Sequence, residues 1–221
     1  PVQADWKPEY ESLLMGVEGC LWTEFCNKPD DVFYLTFPRL AALAEVAWGQ
    51  KGRKDWNLFL KGLDNYVAHL DQKGVNCASS MFNIQHEITV QEGRLLKVNL
   101  DCERTDVEIR YTLDNTEPTS SSLLYAAPFL IDKDVIVKAA TFADGKQKGE
   151  TLILPVRWNR ATACSLVLND GDTAQNVLVN GLRGSLKQSD FEWYTGNPEK
   201  PFAVTVDLSK EEEIRKCAIG C

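Results

Sequence analysis

The spacing of the apolar residues changes near residue 79, and this change limits the folds open to the chain. Residues 33–48 and 56–70 carry apolar side chains three and four positions apart, the spacing of amphipathic helices, with Pro38 interrupting the first near its start. Beyond residue 79, apolar and polar residues alternate, as is typical of half-buried β-strands. The sequence therefore predicts a multidomain α+β chain, helical first and β-rich afterwards.

The first predicted domain covers residues 1–78. A short apolar stretch at 17–25 predicts a buried strand. Asp30 and Asp31 follow it and supply the side-chain oxygens that commonly begin helices. Two amphipathic helices complete this domain, and Gly74 is expected to end the second.

Two β domains are predicted after residue 78. Residues 79–160 are expected to form a complete sandwich, because several short strands are separated by polar turn clusters. Its strands are predicted at 96–100, 107–111 and 135–139, and its turns at 114–118 and 144–146. Residues 161–221 predict three further strands, at 166–168, 202–208 and 214–221. These are too few to close a sandwich, so the last domain is expected to be truncated.

The charge balance excludes some classes of partner. The 221 residues hold 24 Lys and Arg against 32 Asp and Glu, a net charge of −8. Nucleic-acid binding needs clustered basic residues, so no nucleic-acid partner is predicted. A membrane span is not predicted either, because no apolar run approaches the roughly 18 residues it requires. The chain begins with Pro1 and shows no leader, so any targeting segment is expected to be removed or to lie outside this sequence.

No metal site or cofactor is predicted. The seven cysteines form no Cys-x-x-Cys pair and have no histidine at ligand spacing, so we expect mostly free, buried thiols. His69 and His86 lack a serine, cysteine or aspartate at a catalytic spacing and are interpreted as structural or solvent-facing. Residues 169–172 have a faint likeness to a calcium loop, but a tight turn is the favoured interpretation.

The segment that points most clearly to a binding function contains Trp22, Thr23 and Glu24. On a strand, residues two apart share a face, so Trp22 and Glu24 would lie side by side. An indole face packs on the C–H groups of a sugar, while a carboxylate accepts hydrogen bonds from its hydroxyls. The same spacing also fits a core tryptophan beside a glutamate paired with an arginine, and spacing alone does not decide between the two.

Trp22-Thr23-Glu24, followed by the run Phe-Pro-Arg-Leu-Ala-Ala-Leu-Ala-Glu-Val-Ala-Trp at 37–48, closely resembles the end of the catalytic barrel of family 20 β-N-acetylhexosaminidases. Residues 109–142 resemble the small β-sandwich that follows the barrel in bacterial members, and 161–221 resemble the first half of a discoidin-type domain. The implied fold is the last strand and helices of a TIM (β/α)8 barrel, an Ig-like β-sandwich and a partial galactose-binding-like β-sandwich.

The resemblance also implies a function. Trp22 would line the pocket for a terminal N-acetylhexosamine, and Glu24 would bind its outer hydroxyls. In the family the substrate's own acetamide acts as the nucleophile, assisted by an adjacent Asp-Glu pair. No Asp-Glu dipeptide occurs in this sequence, so no catalytic residue is expected here and the chain alone is expected to be inactive.

Three further expectations concern partners and location. The resemblance implies glycans ending in N-acetylhexosamine as the parent's substrates, and a periplasmic, cell-surface or secreted location. An incomplete barrel would expose apolar side chains around Leu21, Trp22 and Leu43, so self-association is predicted. The alternative from another functional class is a non-catalytic carbohydrate-binding or interdomain scaffold module.

Overall fold

The computed structural model describes residues 7–50, 52, 54–168, 176–185, 192–194, 199 and 203–217. The chain divides into two compact units, residues 1–78 and 79–221. The first holds the α-helices α1 (Pro29–Thr36), α2 (Arg39–Trp48) and α3 (Trp56–Gln72), and the second holds antiparallel sheets. The α+β character predicted from the change of apolar spacing is confirmed. Among the helices that the structure describes, none has the length and apolar character needed to cross a membrane.

Local side-chain chemistry sets the ends of the helices. At the start of α1, Asp31 Oδ2 accepts hydrogen bonds from the backbone N–H groups of Asn27 (2.9 Å) and Lys28 (3.1 Å). The single helix predicted over 33–48 is instead two helices, because Pro38 cannot supply the N–H that would continue α1. Gly74 ends α3 as predicted, with a φ of +69°.

The buried strand predicted over 17–25 is absent, and that prediction is wrong for this chain. Residues 14–23 have no regular secondary structure, and Glu24 and Phe25 lie in a turn. A strand needs neighbouring strands to pair its backbone groups. The described residues of the first unit contain no strand, so the apolar stretch stays irregular and exposed.

The residues of the second unit that the structure describes form three sheets. Their strands are β1 (Gln85–Gln91), β2 (Leu95–Asp101), β3 (Glu108–Thr112), β4 (Leu123–Leu124), β5 (Phe129–Ile131), β6 (Val135–Ala143), β7 (Lys146–Gln147), β8 (Leu152–Val156), β9 (Ser165–Leu168) and β10 (Val204–Asp207). The first sheet has the order β1-β2-β5, and the second joins β4, β3, β6 and β7, with β8 also paired to β6. The third sheet pairs β9 with β10.

The core of this unit follows the two-residue period of its strands. Leu96, Val98 and Leu100 of β2 are buried, and so are Val137 and Ala139 of β6. Because alternate residues of a strand point to the same face, this pattern confirms the strands predicted at 96–100 and 135–139. The strand predicted at 107–111 forms one residue later, as β3.

The predicted turn at 144–146 joins β6 to β7. Asp144 and Gly145 have φ values of +52° and +70°, as a two-residue hairpin turn requires when Ala143 pairs with Lys146. Aspartate and glycine adopt this backbone region at lower cost than other residues. The turn chemistry of the sequence therefore places this hairpin correctly.

Beyond residue 160, the described part of the chain is only partly regular. Leu166 and Leu168 of β9 and Val179 form a small second core, against which Val90 of β1 packs. Residues 211–217 form no strand, so the first part of the strand predicted over 214–221 is not observed. The rest of that prediction, and the turn at 169–172, lie outside the described residues.

Candidate functional site

Trp22 and Glu24 are both exposed, and Glu24 lies in a turn that Trp22 precedes. The backbone N–H of Cys26 donates to the carbonyl of Thr23 at 3.0 Å, which closes this turn. The Trp22 side chain is 76 % exposed, so the alternative interpretation of Trp22 as a core residue does not hold in this chain. Without a strand, the alternation that would set Trp22 beside Glu24 on one face is not present.

The irregular segment passes close to α2 at Gly19, three residues before Trp22. A Cβ added at Gly19 would lie 3.1 Å from Cδ2 of Leu43, closer than ordinary van der Waals contact. A larger residue at position 19 would therefore require the Leu43 side chain to shift by a few tenths of an ångström.

The arginine of the family-like run has a structural role here. Arg39 Nη1 lies 3.1 Å from the carbonyl oxygen of Tyr34 and 3.3 Å from that of Leu35, at the carboxyl end of α1. A cation at this end satisfies carbonyls that have no helical partner and complements the helix dipole. Arg39 therefore stabilises the junction between α1 and α2.

Several large apolar side chains of the first unit are unusually exposed to solvent. Phe25 is 84 % exposed, Trp48 is 88 % exposed and Met15 is fully exposed. Leu21 and Trp22 lie in the same exposed segment. Large exposed apolar patches are typical of interaction surfaces, ligand-binding grooves and aggregation-prone surfaces.

The cysteines are free but not uniformly buried. Among the described residues, all six cysteines are free, and Cys102 and Cys164 are buried. Cys20 and Cys217 are exposed, so the expectation of mostly buried thiols is wrong at these positions. Burial raises the pKa of the Cys102 thiol, which reduces its reactivity. Cys221 lies outside the described residues.

His86 belongs to a polar network that the sequence does not reveal. Its Nε2 lies 2.9 Å from Oε1 of Glu192, whose other carboxylate oxygen accepts a 2.6 Å hydrogen bond from Nδ2 of Asn180. His86 and Glu192 are 106 positions apart, so no local pattern connects them. His69 lies exposed in the last turn of α3, as interpreted from the sequence. The described part of the chain holds no group of three or more residues suited to bind a metal ion.

Aromatic residues near the end of the chain are engaged within the protein. Trp158 packs against the main core, and Tyr194 packs against the second core. The indole N–H of Trp193 donates to the carbonyl of Ser185 at 2.6 Å. These contacts assign the three rings to packing and hydrogen bonding within the unit.

Two parts of the chain match known families. Residues 1–51 match the glycosyl hydrolase family 20 catalytic domain. Residues 98–153, which include β3 to β7, match the family described as Fn3 associated. The first match includes Trp22, Glu24 and the whole of α1 and α2.

Curated relatives agree with these matches. A beta-hexosaminidase of Porphyromonas gingivalis is 26 % identical over 157 residues, which are 66 % of this chain and 19 % of the relative. A beta-N-acetylhexosaminidase of Cellulomonas fimi is 34 % identical over 77 residues, 32 % of this chain and 15 % of the relative. The beta-hexosaminidase subunit alpha of Bos taurus is 31 % identical over 75 residues, 34 % of this chain and 14 % of the relative.

Residues 1–51 therefore match part of a glycoside hydrolase catalytic domain. More particularly, the matches support a fragment of a family 20 hexosaminidase, as the resemblance in the sequence implies. The matched regions span a fifth or less of the length of these relatives.

Proposed function

We propose that this chain is the carboxy-terminal part of an exo-acting β-N-acetylhexosaminidase. The parent releases terminal non-reducing N-acetylglucosamine or N-acetylgalactosamine from glycans. The observation that carries the proposal is the match of residues 1–51 to the family 20 catalytic domain. The mechanism proposed for the parent is retaining and substrate-assisted: the acetamide oxygen attacks the anomeric carbon, and an acid protonates the leaving oxygen.

In this proposal the first unit supplies the last strand and helices of a TIM barrel. The segment before α1 becomes the strand when the neighbouring barrel strand is present to pair with it. Residues 79–160 are the Ig-like sandwich, and 161–221 begin a discoidin-like domain. The exposed apolar side chains of Phe25, Trp48 and Met15 support this, because the remainder of a barrel would cover such a surface.

Trp22 and Glu24 would bind substrate in the complete barrel. Active sites of TIM barrels form at the carboxyl ends of the strands, and both residues lie near the carboxyl end of the stretch proposed as the last strand. The Trp22 ring would pack on the sugar, and the Glu24 carboxylate would accept hydrogen bonds from its outer hydroxyls. The Trp22→Leu variant of the longer protein is then expected to bind N-acetylglucosamine at least tenfold more weakly, measured by calorimetry. Unchanged affinity would remove Trp22 from the proposed site.

The chain by itself is proposed to be inactive. It contains no Asp-Glu pair, and Trp22 lies open to solvent without the walls of a pocket. The test is nitrophenol release from nitrophenyl N-acetyl-β-glucosaminide by the purified 221-residue chain and by a longer protein with the rest of the family 20 domain. We expect release only by the longer protein. Release by the short chain would overturn its proposed inactivity, and no release by the longer protein would overturn the proposed function.

A groove in the second unit favours carbohydrate binding as a second candidate function. It is open, has a volume of about 790 Å³, and runs past the exposed side chains of Leu123, Leu130, Asp132 and Lys133. Aliphatic side chains beside a carboxylate and an ammonium group offer both apolar contact and hydrogen bonds to a sugar. A glycan array probed with the full chain tests this. Binding that Asp132→Asn weakens supports it, and silence across the array counts against it.

Two properties of the parent and the fragment complete the proposal. The isolated chain self-associates through the exposed apolar surface of its first unit, and a strictly monomeric scattering profile at high concentration would contradict this.

The parent acts outside the cytoplasm, in the periplasm, at the cell surface or after secretion. Cell fractionation with an antibody to the chain tests the location, and recovery only with the cytoplasm would contradict it.

A further inference from the structure

Arg94 occupies a backbone conformation that arginine rarely adopts. It is the last residue of the three-residue turn between β1 and β2, with a φ of +59°, directly after Gly93 at +78°. An L-residue with a side chain in this left-handed region costs about 1 kcal/mol relative to glycine. Such a residue persists where its side chain makes contacts that offset the cost.

The Arg94 side chain makes those contacts with a turn far away in sequence. Its Nη2 donates to the carbonyl oxygens of Asn159 (3.2 Å), Arg160 (2.9 Å) and Thr162 (3.0 Å). These carbonyls follow β8 and precede β9, where the sandwich passes into the last part of the chain. One guanidinium therefore holds three acceptors of the connecting turn.

The same turn also binds the segment beyond it. The backbone N–H of Arg157 donates to the carbonyl of Gly181, and the N–H of Ala163 donates to that of Val179, both at 2.8 Å. The turn is stiffened internally by Asn159, whose Oδ1 accepts from the N–H of Ala161 at 2.8 Å. Arg94 thus bonds this turn to the β1–β2 hairpin, and hydrogen bonds on its other side join it to residues 179–181. The turn therefore connects the sandwich to the segment at 179–181.

Ion pairs extend this connection to the end of the described chain. Arg160 Nη1 lies 3.1 Å from Oε2 of Glu212, and it also hydrogen-bonds the carbonyl of Glu213. Glu212 in turn pairs with Lys210 at 2.7 Å. The stretch after β10 is therefore bound to the same turn that Arg94 holds.

We propose that Arg94 is a positioning residue that locks the turn at 157–164 onto the β1–β2 hairpin, so that the described residues after 160 move with the sandwich as one body. The described parts of the two β domains predicted from sequence, 79–160 and 161–221, then keep a fixed orientation relative to each other. No flexible linker separates these described parts. Any ligand-binding surface on the described residues after 160 then keeps one orientation relative to the sandwich. The inference concerns the organisation of this chain and does not depend on its proposed function.

Amide hydrogen exchange of the full 221-residue chain tests the lock. In Arg94→Ala, exchange at the amides of Arg157 and Ala163 should accelerate by about tenfold or more, since hydrogen bonds from a charged donor contribute about 1.5–3 kcal/mol. Exchange along β6 should stay unchanged. The matched control is Arg110→Ala, which removes another arginine that holds a carbonyl, that of Ser122 at 3.0 Å. It should leave Arg157 and Ala163 unaffected.

Two more variants distinguish the effect of the Arg94 side-chain contacts from the effect of its left-handed backbone conformation. Arg94→Gly relieves the left-handed conformation but also loses the contacts, so it should behave like Arg94→Ala at Arg157 and Ala163. Arg94→Lys keeps a cationic donor and should retain part of the protection. Wild-type exchange in Arg94→Gly, or equal acceleration of every amide including those of β6, would overturn the proposal. If Arg94→Ala does not fold, trypsin cleavage after Arg157 in Arg94→Lys decides: faster cleavage supports the lock, and unchanged cleavage overturns it.

Discussion

The guanidinium of Arg104 and the carboxylate of Asp106 form a two-point ion pair, with Nε 2.7 Å from Oδ1 and Nη2 2.5 Å from Oδ2. The Arg104 side chain is only 3 % exposed, and it also lies over the ring of Phe82 at 4.8 Å from the centroid. A nearly buried guanidinium needs its charge compensated, so the pair anchors the loop after β2.

Loss of this pair should destabilise the second unit. Asp106→Asn is expected to lower the free energy of unfolding by about 1–2 kcal/mol, because it removes the carboxylate charge that faces a nearly buried guanidinium. Urea unfolding followed by circular dichroism measures the change. The control is Glu213→Gln, which removes the exposed pair between Arg215 and Glu213 and should cost less than about 1 kcal/mol. Equal effects for the two variants would contradict the role of burial.

The stabilisation that the Arg104–Asp106 ion pair provides should also be lost in acid. Hydrogen bonds from Arg104 hold the pKa of Asp106 below its ordinary value of 3.8. Because the pKa is lower in the folded protein, the stability it brings is complete above pH 3.8 and is lost as the pH falls through the folded pKa. The stability difference between wild type and Asp106→Asn should therefore shrink in strong acid. A difference that stays constant down to about pH 2 would refute this linkage.

The buried face of β2 should dominate the stability of the sandwich. Leu96 is completely buried, whereas Leu130, on the neighbouring β5, is 55 % exposed. Leu96→Ala should cost about 2–5 kcal/mol through lost burial and the cavity left behind, and Leu130→Ala less than about 1 kcal/mol. Thermal and urea unfolding compare the two variants directly. A larger effect at Leu130 would be inconsistent with the core described here.

Thiol labelling should rank the cysteines by exposure. Cys20 and Cys217 are exposed, whereas Cys102 is buried and burial raises the pKa of its thiol. An alkylating reagent attacks the thiolate, so Cys20 and Cys217 should react at least about tenfold faster than Cys102. Peptide mass spectrometry after timed alkylation gives the rates, and unfolding in urea should remove the difference. Equal rates in the folded chain would show that Cys102 is accessible.

Sequence patterns predicted the elements that depend on local chemistry. The helix over 56–70, its end at Gly74 and the Asp144–Gly145 turn formed as predicted, because periodicity and turn residues act within a few positions. The helix predicted over 33–48 formed as two helices, divided at Pro38. The strand over 17–25 did not form, since a strand depends on partners that this stretch lacks in the described chain. The contacts of Arg94 with Thr162 and of His86 with Glu192 join distant residues and leave no sequence signal.

For the candidate site, the sequence supplied the residues but not their surroundings. Trp22 and Glu24 stood out through the run of residues that follows them, and the match of residues 1–51 to a catalytic domain agrees with that resemblance. Their exposure in this chain was predictable only in part, because it depends on the surfaces that would cover Phe25 and Trp48. Such surfaces come from residues outside this sequence in the proposed parent.

The most direct test of the central claim is the effect of Glu24→Gln on hydrolysis of nitrophenyl N-acetyl-β-glucosaminide by the longer protein. If the Glu24 carboxylate binds the hydroxyls of the terminal sugar, kcat/KM should fall by about 10- to 100-fold, the size expected for one charged hydrogen bond. Glu87→Gln, an exposed change on β1, should leave kcat/KM unaltered. Full activity in Glu24→Gln would contradict the account.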